Sequence, residues 1–264
     1  MEINNPQDKF TKTGQVISNP GYTVISFANE AMDDIVAYGK QVQATFSTLP
    51  QEDRDKLALL PPSSFHITVL GLFKERDQGT DKWPAFLPKT YSRQKIKQAL
   101  LQRFNQVAKP QNIKMQVTRL IPQAILLEPS DVDSYHRLDN YRRQLADAFQ
   151  LPLEEDYQFH MSLSYLLGEE SSAITDICQQ LEGELLKLEP FLLPQPDLAF
   201  YEDMLAFHPL LNSGTYPGGK YATSDYWYRS RYGWQPSYLT RPYSAWYRSP
   251  WPHNGSGKPA LRPD

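Results

Sequence analysis

Two five-residue runs in this chain are near copies of one another: Phe65-His66-Ile67-Thr68-Val69 and Phe159-His160-Met161-Ser162-Leu163. Each alternates large apolar side chains with a polar pair, the period of two expected of a half-buried β-strand. On such a strand the imidazole and the hydroxyl leave one face together, while the phenylalanine and the aliphatic residues enter the core on the other. The His-x-Thr/Ser spacing is common by itself. The apolar frame repeated around both copies is what sets these two apart from chance.

The two histidines are 94 residues apart, and a strand-helix-strand pattern occurs on either side of the midpoint. In the first half, Gly21–Phe27 reads as a strand entered through Asn19-Pro20-Gly21, and Glu30 to about Thr48 reads as a helix. Pro61-Pro62 stops the chain before the first histidine strand. Ser92 caps a helix reaching Val107, with Ile96, Leu100, Leu101 and Phe104 at helical spacing. Ile113–Leu120 and Gln123–Glu128 read as strands about Ile121-Pro122, and Ser130 or Asp131 caps a helix ending near Phe149. The second histidine strand follows, then a helix over Ser171–Leu186 and a last strand pattern over Leu198–Phe207. A pseudo-twofold α+β domain is the expectation, although the halves share little beyond the motif.

From Asn212 onward the composition changes. Eight tyrosines, four tryptophans and seven prolines alternate with arginine and glycine, and the large aliphatics are Leu239 and Leu261 alone. So few core-forming side chains predict an irregular extension, 212–264, appended to a folded body, 1–211. Its aromatic and guanidinium groups make it a candidate to engage a partner. The tail carries seven Lys or Arg against two acids, which leaves a balance of −8 on the body within a net charge of −3. An acidic body argues against a broad nucleic-acid surface and leaves room for a local basic cleft. The stretch Met1 to Phe10 is polar, with neither the basic start nor the apolar centre of a signal peptide, and no apolar run approaches membrane-spanning length. The lone cysteine, Cys178, falls in an amphipathic helix and reads as a buried small hydrophobe. A cytoplasmic protein without membrane association is expected.

Two imidazoles facing one cleft suit a reaction in which a proton is removed on one side and donated on the other, and phosphodiester cleavage is such a reaction. An unperturbed imidazole titrates near ~6.5, so one can act as base and the other as acid at neutral pH without large pKa shifts. The hydroxyls of Thr68 and Ser162 can each donate to a nonbridging phosphoryl oxygen. No metal or other cofactor is needed, and neither a His-Glu-x-x-His helix nor a cysteine pair is present to suggest a zinc site. His136, His208 and His253 lack the motif and read as structural or solvated. Arg119, in a strand pattern, is a candidate to neutralise phosphate, and Tyr157 and Tyr201 are candidates to stack on a base.

With these motifs the sequence resembles the 2H phosphoesterase superfamily, over about Lys9 to Phe207. The runs Asn19-Pro20-Gly21-Tyr22-Thr23-Val24-Ile25 and Tyr201-Glu202-Asp203-Met204 resemble a poorly characterised bacterial branch. The resemblance implies a two-lobed, pseudo-twofold fold with antiparallel sheets around a central cleft and helices outside. It implies that His66 and His160 act as acid and base while Thr68 and Ser162 hold phosphate. The implied substrate is a 2′,3′-cyclic phosphate or another small nucleotide or RNA-end phosphodiester; the alternative is a phosphate-binding module without turnover that works through its tail. RNA-processing members often carry arginine or proline before the motif histidine, where this chain has Phe65 and Phe159, so substrate identity does not transfer.

Overall fold

The computed structural model describes residues 5–210 and the backbone of two short strands beyond them. Strand β1 (Gly21–Phe27) leads into a 3-10 turn, Glu30–Met32, capped by the Asn29 side chain, so helix α1 starts at Asp33 and runs to Phe46. A four-residue helix α2 (Gln51–Arg54) and strand β2 (Leu57–Leu59) precede the first motif strand, β3 (His66–Lys74). Ser92 caps α3 (Arg93–Phe104), its hydroxyl accepting from the Lys95 amide. Hairpin β4 (Lys114–Ile121) and β5 (Ala124–Pro129) leads to α4 (Val132–Phe149), where Asp131 rather than Ser130 is the cap, accepting from the Ser134 amide at 2.7 Å. The second motif forms β6 (Phe159–Ser162), followed by β7 (Ser164–Leu166), the Ser171-capped α5 (Ser172–Leu185) and β8 (Phe191–Leu192).

The expected last strand is two strands, β9 (Asp197–Asp203) and β10 (Ala206–Pro209), folded back on each other with Ala206 opposite Asp203. The reason lies in Asp203, whose carboxylate accepts the Leu205 amide at 2.8 Å and so offers the backbone a turn in place of a continued ladder.

Of these ten strands, all but β2 and β7, which pair with one another, join an eight-stranded antiparallel sheet in the order β10-β9-β1-β3-β6-β5-β4-β8. The two lobes therefore share one continuous sheet, and the motif strands are its middle pair. They touch at a single register position, Ile67 opposite Met161. In an antiparallel pair this point is a local twofold, which maps each residue of β3 onto the residue 94 further along, and His66 onto His160. The helices cover the face that carries Ile67 and Met161, both fully buried.

Helix α1 lies under both motifs because Gly39 has no side chain. A Cβ there would stand 2.9 Å from Leu163, 3.1 Å from Met161 and 3.1 Å from Phe65, all apolar residues of the two motifs. Four residues on along the same helix, buried Gln43 donates from Nε2 to the carbonyls of Leu60 (2.7 Å) and Leu163 (2.8 Å), tying the chain before the first motif to the end of the second. Phe65 and Phe159 are thus core residues, 3% and 8% exposed.

The chain divides into two units, Met1–Ala222 and Thr223–Asp264. The second contributes the two-stranded ribbon β11 (Trp227–Ser230) and β12 (Gly233–Pro236), with Trp227 opposite Pro236. The rest of the aromatic tail, with His253, lies outside the described residues. No described helix is long and apolar enough to cross a membrane.

Candidate active site

Along β3 and β6 burial alternates as the motif pattern requires: Ile67 and Met161 are buried, while His66, Thr68, His160 and Ser162 are half-buried on the other face. The register about Ile67 and Met161 sets His66 opposite Ser162 and Thr68 opposite His160. The four polar side chains therefore form one quartet around the local twofold, each imidazole facing the other motif's hydroxyl residue.

The two imidazoles are held in the same way. His66 Nδ1 lies 2.6 Å from the Ser64 carbonyl, and His160 Nδ1 lies 2.8 Å from the Gln158 carbonyl, each two residues back along the chain. A carbonyl only accepts, so Nδ1 carries the proton in both rings and donates. Each Nε2 is left with its lone pair free to take or return a proton.

Their electrostatics differ from the sequence expectation of unshifted imidazoles. Burial pulls His66 down to about 4; the Ser64 carbonyl opposes this and the neighbouring His160 adds to it. His160 is lowered as well, chiefly by burial and further by Lys9, against the Gln158 carbonyl. The cause is enclosure by neighbouring side chains, which withholds the water that a charged ring needs. Both rings are thereby shifted toward the neutral form.

Aromatic side chains crowd the two imidazoles. The Phe207 ring lies 4.1 Å from the His66 ring and 5.2 Å from that of Tyr201. Tyr201 is 8% exposed and leans across β1, where a Cβ on Gly21 would stand 2.5 Å from its hydroxyl. Glycine at position 21 is what lets this ring occupy the space. Tyr157 is half-buried, 6.2 Å from the His160 ring, and hydrogen-bonds with Thr68. Burial pushes both phenols up to about 12, which keeps them neutral donors.

Arg119 lies opposite Leu126, and Leu126 opposite His160, in one row across three strands. The row puts Arg119 on the face of the imidazoles, about 10 Å from His160 at the usual strand spacing. It is exposed and makes no ion pair among the described residues.

Three residues near the quartet escaped the sequence reading. Arg142, 4% exposed, donates to the carbonyls of Val69 (3.1 Å) and Glu154 (3.0 Å) and lies 4.9 Å from the centre of the Tyr157 ring. It supports the phenol that meets Thr68. The other two are Phe207 and Lys9. None carries a local signal, because a lysine in a polar run or an arginine in an amphipathic helix is ordinarily a solvated residue.

Of the other histidines, His208 is half-buried and is pushed down to about 3 by burial, in keeping with a neutral structural role. Cys178 is buried and its thiol is pushed up to about 12, which leaves it inert as a nucleophile. Among the described residues no group of three or more His, Cys, Asp or Glu is placed to hold a metal ion.

A family model labelled 2H-phosphodiest and described as a domain of unknown function (DUF1868) matches residues 9–126, a span that contains His66 and ends before His160. No curated protein matches the chain. Among solved structures, the conserved protein of unknown function ATU0111 from Agrobacterium tumefaciens aligns at 21% identity over 80% of this chain and 94% of its own, with a TM-score of 0.66. That similarity shows a shared fold. Escherichia coli LigT complexed with 3′-AMP aligns at 12% identity over 73% of this chain and 96% of its own, with a TM-score of 0.42. The complex of LigT with ATP aligns at 11% identity over 69% and 87%, with a TM-score of 0.38.

Proposed function

We propose that this chain, whose residues 9–126 match the model labelled 2H-phosphodiest, is a 2H phosphoesterase: a metal-independent phosphodiesterase acting on a 2′,3′-cyclic phosphate or another small nucleotide-type phosphodiester. One observation carries this reading: the single register pair Ile67–Met161, which brings two identically held imidazoles and two hydroxyl residues around one point.

The phosphoryl group sits on the local twofold, with its nonbridging oxygens toward the hydroxyls of Thr68 and Ser162. One neutral imidazole removes a proton from the attacking water at Nε2. The other, protonated once the anion is bound, donates from Nε2 to the leaving ribose oxygen. The P–O bond to water forms as the P–O bond to that ribose oxygen breaks, and the cyclic diester opens to a monoester. One ring has gained a proton and the other has lost one, so the pair resets by exchange with solvent. The stronger effect of burial on His66 favours it as the base, with His160 as the acid. Both Nδ1–H groups stay on their carbonyls throughout, which keeps the rings from turning.

The reading assigns the activity to the body, 1–211, and treats the tail as dispensable for hydrolysis. It is tested by following 2′,3′-cyclic nucleotides by phosphorus NMR with a chelator present. Hydrolysis to a 2′- or 3′-monophosphate is expected. Loss of activity on chelation, restored by zinc or manganese, would count against it, and tight nucleotide binding without turnover would assign the protein instead to the non-catalytic alternative.

A further inference from the structure

Burial pulls both imidazoles of the quartet toward their neutral form, whereas a phosphodiester is an anion that gains further negative charge at the reacting phosphorus in the transition state. The one imidazole that is protonated on binding offsets part of that charge; a fixed cation would offset more, and most of those nearby are committed. Arg76 is paired with Asp8 at 2.8 Å, and Arg142 is spent on two backbone carbonyls. Lys74 feels Asp77 and Asp8, and Arg119 stands two strands away in solvent.

Lys9 differs from all of these. It is half-buried, its ammonium lies 5.0 Å from the centre of the Tyr165 ring, and it makes no ion pair among the described residues. The charges that act on it are Lys74 and Arg76, both repulsive, and it acts in turn on His160. Its position is imposed from both sides. Asp8, in the left-handed region at φ 64°, reaches Arg76, and Phe10 packs on Tyr165 at 4.9 Å. A bridge between Phe10 and Val16 and a 2.8 Å hydrogen bond from the Ile17 amide to the Lys9 carbonyl close the segment between them. Holding an ammonium out of water without a counter-charge costs free energy, and a bound anion offsets that cost.

We propose that Lys9 is the cationic phosphoryl-binding residue of this cleft, its ammonium contacting a nonbridging oxygen of the phosphate held by the His66, Thr68, His160 and Ser162 quartet. The inference rests on the phosphate position assigned under the proposed function. Burial and the two neighbouring cations pull Lys9 down to about 8, so it is still mostly charged at neutral pH, and a bound anion should move it back up.

The test compares the parent with Lys9→Met and Lys9→Arg in binding adenosine 2′-monophosphate, with adenosine as the uncharged control. Lys9→Met should weaken nucleotide binding roughly ten- to a hundredfold and leave adenosine unaffected, the usual worth of one charge-assisted hydrogen bond. Lys9→Arg should restore most of the loss. In the parent, the Lys9 side-chain titration followed by NMR should rise from about 8 when the nucleotide binds and stay put with adenosine. Unchanged affinity in Lys9→Met, a titration that does not move on binding, or no binding by the parent at millimolar nucleotide would each overturn the assignment. The two readings separate: Lys9-dependent binding without cyclic-phosphate hydrolysis keeps Lys9 and removes the phosphodiesterase, whereas hydrolysis as fast in Lys9→Met as in the parent removes Lys9 alone.

Discussion

His66 and His160 are held by the same hydrogen bond, from Nδ1 to the carbonyl two residues back, on strands related by a local twofold, yet their neighbours differ. His66 lies against the Phe207 ring and is pulled down to about 4, while His160 has Tyr157 beside it and Lys9 within electrostatic reach. The repeated backbone makes two groups that can exchange protons. On the proposed function, the unlike surroundings assign which gives and which takes. A symmetric frame with asymmetric packing thus gives one residue type two environments, since a pKa is set by desolvation and nearby charge rather than by backbone geometry.

The largest expected effect tests whether both halves carry chemistry. His66→Ala and His160→Ala should each lower turnover by roughly 10² to 10⁴-fold. A double variant no worse than either single one would mean that the rings act as a unit, and a full-rate single variant would reduce the pair to one working half. Next come the hydroxyls. Thr68→Val and Ser162→Ala should each cost about 1–3 kcal/mol in kcat/KM without moving the pH optimum. The Thr68 variant also strands Tyr157, so Tyr157→Phe should mimic part of its loss, and equal losses at Thr68 and Ser162 would argue that the phenol contributes nothing.

Beneath the site the halves share one support. Gly39→Val would drive side-chain atoms into Phe65, Met161 and Leu163 together, with an expected loss of about 1–3 kcal/mol in urea denaturation. An unchanged midpoint would mean that α1 is free to move off the motifs.

The smallest effect bears on the asymmetry itself. A base must be neutral, so activity is lost as pH falls through the pKa of His66. The acid must be protonated, so activity is lost as pH rises through that of His160. Both are lowered, and the bell in kcat/KM should therefore peak on the acid side of ~6.5. Phe207→Ala, by letting water reach His66, should raise the acid limb from about 4 and leave the alkaline limb in place. Movement of the alkaline limb instead would exchange the two assignments.

Much of this was legible in the chain itself. The period of two around each histidine placed Ile67 and Met161 in the core and the polar pairs on the open face, because side-chain direction on a strand depends only on local backbone geometry. Helix starts at Ser92 and Ser171 were readable for the same reason, since a cap is a contact between residues three apart. The break at Met204-Leu205 was missed because Leu198–Phe207 keeps an apolar pattern through it, and the Asp203 turn competes through a side-chain hydrogen bond.

What the sequence alone determined is the content of the site: two imidazoles, two hydroxyls and the strands that carry them. Tertiary structure decided how those strands pair, and so that His66 faces Ser162 and Thr68 faces His160. It also decided that Gly39 and Gln43 bind the two motifs to one helix, that Gly21 makes room for Tyr201, and that Lys9 comes from the far N-terminal segment to lie over the Tyr165 ring within electrostatic reach of His160. These contacts join residues dozens of positions apart. Their strength depends on burial and distance in the folded chain, quantities that no local pattern of residue types encodes.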